Sequence, residues 1–152
     1  MENITILGID SLKAKLTNIA EAKAVEEAVN QATLLVHAQA KELAPVDTGA
    51  LAGSIRPSVK RSGNEIVGKV FTNLSYAVYV EMGTGSKGSG TYDNPNVTPM
   101  YRDTPWVYTP DGGETFYRTE GQVAQPYMYP ALKMNEKRIK AMIQEAIIKG
   151  GK

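Results

Sequence analysis

No cysteine occurs in the 152 residues, so neither a disulfide framework nor a thiolate metal site is available. That absence favours a cytoplasmic origin. The single histidine, His37, leaves no second imidazole for a zinc site, and no G-x-S-x-G elbow presents a nucleophile for it to activate as base. Aromatics are few, with one Trp and two Phe, although eight Tyr partly make up for them. No apolar run approaches the length of a membrane span, and MENITILGIDSLK lacks the basic start and long apolar stretch of a signal peptide. What remains is an ordinary globular composition, 42% hydrophobic and 22% charged, at a length that suits one domain over 1–152.

Net charge is only +1, but it is unevenly distributed. Residues 1–49 carry a net −3, 50–80 a net +3, 81–130 a net −3 and 131–152 a net +4. Blocks of alternating sign can meet head-to-tail in a ring, and they can equally be ordinary solvated helix faces. The basic block at Lys133, Lys137, Arg138, Lys140, Lys149 and Lys152 is spread around a helix with few interleaved aromatics, a poor pattern for nucleic acid.

Asp10 or Ser11 can cap a first helical segment bearing Leu12, Leu16 and Ile19. The spacing of Val25, Val29, Ala32, Val36, Ala40 and Leu43 predicts a longer amphipathic helix over 22–43, with a bend near Glu21 where the stripe shifts, and Pro45 ends it. Ser62 to Glu65 predict a hairpin between β-leaning runs, although Ile66, Gly68, Val70 and Thr72 do not alternate cleanly against their neighbours. Ser75 to Met82 fits either a strand or a short helix by periodicity, and helix is the preferred reading. Residues 83–105, rich in Gly, Ser, Asn and Pro, read as a long flexible loop. WVYTPDGGETFYRT predicts a second hairpin, and Pro130 opens a last helix with Leu132, Asn135, Ile139, Met142, Ile143, Ala146 and Ile147 inward. The resulting class is α+β: a long N-terminal helix and a C-terminal helix on a small antiparallel sheet, with a long loop.

Gly83, Gly85 and Gly88 have the G-x-G-x-x-G spacing of a dinucleotide turn. The anion in such a turn rests on a following helix, and Pro95, Pro99 and Pro105 bar one there. No cofactor is expected, and no enzyme. The open alternative is a small carbohydrate-active hydrolase, or a sugar- or peptide-binding module, using Asp47, Glu81, Asp93, Asp103 and Asp111 with loop aromatics. Asp47 or Thr48 can cap a turn at Ala50 to Ser54, with Gly49 in a conformation closed to side chains. Tyr76, Tyr79, Tyr127 and Tyr129, with Met82 and Met128, form either an interface or a satellite core under the loops.

Three ordered segments, APVDTGALAGSI (44–55), YAVYVEMGTG (76–85) and AQPYMYPAL (124–132), resemble the neck or tail-completion proteins of long-tailed bacteriophages, also called minor structural or minor capsid proteins. Tyr127 stands where Phe is common, and 86–120 is a long insert. The resemblance implies a non-enzymatic virion component at the head-tail junction or head-proximal tail end, assembled in the bacterial cytoplasm. It implies a homo-oligomeric, sixfold ring around the DNA path, next to head-connector and tail-tube or tail-terminator proteins, with no membrane partner. The motif positions it marks for the interface or its framework are Asp47, Thr48, Gly49, Leu51, Ser54, Tyr76, Glu81, Gly83, Thr84, Gln125, Pro126, Tyr127 and Pro130.

Overall fold

The computed structural model describes residues 19–150, with side chains from Ala22 onward. The expected cap at Asp10 or Ser11 and the stripe beginning at Leu12 lie outside the described residues. The described elements are α1 (Ile19–Leu43), α2 (Ala50–Ser54), β1 (Arg56–Ser62), β2 (Glu65–Phe71), α3 (Ala77–Met82), α4 (Gly85–Gly88), β3 (Trp106–Tyr108), β4 (Tyr117–Thr119) and α5 (Met128–Gly150). The class is α+β, with two antiparallel two-stranded sheets. Helix α1 runs without a break from Ile19 through Glu21.

The chain divides into two compact units, one formed by the residues up to Asn73 together with those from Tyr127 onward, the other by Leu74–Pro126. In unit 1, α1 packs along α5, and the β1–β2 hairpin lies against α1. The 3.6-residue repeat on α1 buries Val25, Val29, Ala32, Val36 and Ala40; α5 supplies Ala131, Ile139 and Ile143. Each fully buried branched aliphatic side chain contributes roughly 1.5–3 kcal/mol. The hairpin closes over Gly63 and Asn64, between the paired residues Ser62 and Glu65. Gly63 supplies the positive φ of 58° that a two-residue turn requires.

The face of β2 is cleaner than its sequence suggests. Ile66, Gly68, Val70 and Thr72 are all buried, while Val67, Lys69 and Phe71 are not. Gly68 takes its place in this face because α1 comes so close that a Cβ there would lie 2.0 Å from Thr33 Oγ1. Thr33 is itself almost fully buried, and its hydroxyl donates to Val29 O at 2.7 Å. Asn135, the polar member of the α5 stripe, likewise donates from Nδ2 to Ala131 O at 2.8 Å. Both groups satisfy themselves on their own helix, so they can be buried at little cost.

Candidate assembly interface

The first motif forms the corner that turns α1 into β1. Gly49 adopts φ 79°, ψ −1°, and the Thr48 hydroxyl accepts from Ala50 N at 3.3 Å, while Asp47 is exposed. Ser54 Oγ donates to Leu51 O at 2.7 Å and lies 2.6 Å from Thr72 Oγ1. With the Ser54 proton spent on Leu51, the Thr72 hydroxyl is the donor to Ser54. Leu51 and Ile55 are buried beneath this corner. His37, a plain helix histidine by its surroundings in sequence, has a tertiary job: its Nε2 lies 3.1 Å from Ile55 O, so that nitrogen carries the proton. Further along unit 1, Tyr127 is 1% exposed, and Pro130 sits half-buried in the first turn of α5.

The second motif builds unit 2. Helix α3 ends at Gly83, whose N–H bonds Tyr79 O at 3.0 Å. Thr84 then pairs with Gln122 across two backbone bonds of 2.9 and 3.0 Å, and Gln125 N bonds Val80 O at 2.8 Å. Glycines permit this crossing: a Cβ on Gly121 would lie 1.8 Å from Thr84 O, and one on Gly85 2.1 Å from Glu120 O. The glycine triad thus brings two backbone segments into contact. The amides a phosphate would require are already engaged, since Lys87 N bonds Glu120 O and Gly88 N bonds Thr84 O.

The long segment after α4 is tied down by single polar contacts. Thr91 Oγ1 donates to Gly88 O at 2.7 Å and accepts from Ala124 N at 2.8 Å. Tyr101 donates its hydroxyl to Met82 O at 2.7 Å, and partial burial pushes that phenol above its ordinary pKa. Glu81 is 7% exposed and accepts from Tyr92 at 3.4 Å. Hydrogen bonds from the Thr115 side chain and from Thr115 N at 2.9 Å, followed by one from Thr109 Oγ1 at 2.7 Å, hold the Asp111 carboxyl well below the usual carboxylate range. Glu81 and Asp111 therefore serve the loop framework of unit 2. Pro126 is half-buried and Gln125 exposed.

The Tyr/Met cluster separates by environment. Tyr127 and Met128 are buried, Met82 and Tyr129 half-buried, and Tyr76 and Tyr79 exposed at 43% and 56%. Tyr76 and Tyr79 line an open cleft of about 880 Å³ within unit 2, together with Met100, Trp106, Tyr108 and Gln122. Arg102 lies over the Trp106 ring at 5.6 Å, a cation–π distance. Sequence reasoning missed Met100, Trp106 and Tyr108 as partners of Tyr76 and Tyr79, because only the β3–β4 pairing and the Thr84–Gln122 crossing bring those segments together.

Among the described residues no group of three or more acidic or imidazole side chains is arranged to hold a metal, and no helix is long and apolar enough to cross a membrane. Neither the curated proteins nor the solved structures contain a match to the chain. A family model described as "Bacteriophage HK97-gp10, putative tail-component" matches residues 9–83, a span that takes in α1, the corner, the first hairpin and α3, and stops at Gly83. Over residues 9–83, just under half of its length, the chain is similar to the HK97-gp10-like family of bacteriophage proteins.

Proposed function

We propose that this chain is a structural subunit of the virion that forms a homo-oligomeric ring at the head-proximal end of the tail, where it completes the tail and joins it to the head connector. The observation that carries this reading is the cleft of unit 2. Tyr76, Tyr79, Met100 and Tyr108 stand well exposed beside one another, with Met100 at 99%. Large apolar side chains gathered in an open cleft are the usual mark of a protein contact. Similarity to the tail-component family over residues 9–83 supports a place in the tail, and the alternating charge blocks support head-to-tail contacts, which close into a ring when the rotation per subunit permits.

In this role the corner at Asp47 to Ser54 and the buried Tyr127 stabilise the subunit, and the surface of unit 2 makes the contact. Weak lateral contacts keep the free subunit from closing prematurely, so the isolated chain is expected to be monomeric and the ring to form on its connector or tail neighbour. The test is complementation of a phage lacking this gene, scored by electron microscopy. The wild-type chain should restore joined particles, and Tyr76→Ser with Tyr79→Ser should fold yet leave heads and tails separate. Joined particles in normal number from that folded variant would overturn the role of the cleft. Tight binding of a soluble oligosaccharide to the cleft would favour the binding-module alternative.

A further inference from the structure

The two units carry opposite charge. Residues 74–126 hold three Lys/Arg against six Asp/Glu, a net −3, and the rest of the chain holds fourteen against ten, a net +4. They also differ in what they leave exposed. On α5 the buried face bears Ala131, Asn135, Ile139 and Ile143, and a second apolar line runs along the solvent side through Met134, Ala141 and Ile148. These three are seven residues apart, two helical turns each, so they stay on one face to within about 20° per heptad. Met134 and Ile148 are 66% and 64% exposed, and Lys137 and Arg138 lie exposed between Met134 and Ala141.

We propose, resting on the ring reading above, that the outer face of α5 in one copy docks into the aromatic cleft of unit 2 in the next copy. The fit is of kind as well as charge. The α5 face offers apolar anchors at i, i+7 and i+14 with cations between them, and the cleft is open and lined largely by apolar side chains. Met134 is a flexible thioether suited to contact with aromatic rings such as Tyr79 and Trp106. The charge complementarity is that of the units as wholes, a net −3 on residues 74–126 meeting the exposed Lys137 and Arg138; the carboxylates Asp103 and Glu120, exposed and next in sequence to the cleft residues Arg102 and Gly121, belong to that acidic unit. The patches are unlike, so the contact is heterologous and passes from copy to copy, as a ring needs.

The absence of native cysteine makes the contact directly testable in particles. Tyr79→Cys and Met134→Cys are placed in one chain, and particles that contain the chain are oxidised and run without reductant. A ladder of covalent multimers is expected from the double variant. Mixed single variants should give dimers joining one Tyr79→Cys copy to one Met134→Cys copy. Particles that contain the chain yet show no ladder overturn this docking while leaving the ring reading intact. So do dimers formed equally well by Tyr79→Cys alone, which would indicate a symmetric contact. Particles that assemble without the chain overturn both. As a second measurement, Met134→Asp should keep the wild-type melting temperature and lose complementation; normal complementation by that variant sinks the proposal.

Discussion

Unit 1 and unit 2 are stabilised in different ways. Among the described residues the buried hydrophobic set lies almost wholly in unit 1, with Ala77 its member from unit 2. Unit 1 is held by side chains interdigitating between α1, α5 and β2. Unit 2 has its backbone segments crossing at glycine, side chains bonded to carbonyls, and its large apolar residues turned outward. A segment that buries little apolar surface gains little stability from burial, and it keeps that surface available for a partner. Such a division suits a subunit that folds before it assembles.

The comparison can be broken most sharply at the crossing. Gly121→Val places a side chain against Thr84 O at φ 98°, so it should cost about 3 kcal/mol or more and abolish amide protection around Thr84 and Gln122. Retention of protection in α1 would show that the units are stabilised separately, and one common loss would show that they are not. In unit 1, Ile139→Ala should cost about 3 kcal/mol in denaturant melts, as a fully buried truncation does, against about 0.5 kcal/mol or less for the exposed Tyr79→Ser. Equal costs would remove the distinction between a core side chain and an exposed cleft one.

Gly68→Ala should destabilise by about 2 kcal/mol through overpacking against Thr33, and Thr33→Ala in the same chain should recover part of it. Strict additivity would mean that the helix and strand do not approach as described. For the wild type, hydrogen exchange should be faster over 83–103 in the verified monomer than over 22–43, and slower there once the subunit is in particles. Equal protection in the monomer would contradict the loop's expected mobility.

The smallest effect concerns pH. Hydrogen bonds from Lys140 and Lys133, at 2.7 and 3.0 Å, lower the Glu136 carboxyl to about 2. A depressed carboxylate stabilises the fold above its unfolded pKa, near 4.5, and that contribution is lost as pH falls toward 2. Since Glu136 is solvent-exposed, its share should be slight and largely screened by salt. Removing it as Glu136→Gln should leave the acid limb of a stability–pH curve almost unchanged.

The sequence by itself determined what depends on near neighbours. The 3.6-residue repeat of α1 and the stripe of α5 specified two long helices, Gly63 and Gly112–Gly113 marked the two hairpins, and three ordered motifs carried the phage resemblance. Only the tertiary structure decided which way ambiguous residues face. Tyr127 and Tyr79 are the same side chain beside similar neighbours, yet one is buried and the other lines a cleft. The glycines at 83, 85 and 88 read as a loop because nothing local reveals that Glu120 to Gln122 will cross them. Whether Glu81 belonged to an interface or to its framework was open in the sequence, because Tyr92, which donates to it, lies beyond the turn at Gly83. Local periodicity reports the conformational preference of a short segment; burial and close approach depend on residues tens of positions away, and those contacts exist only once the chain has folded.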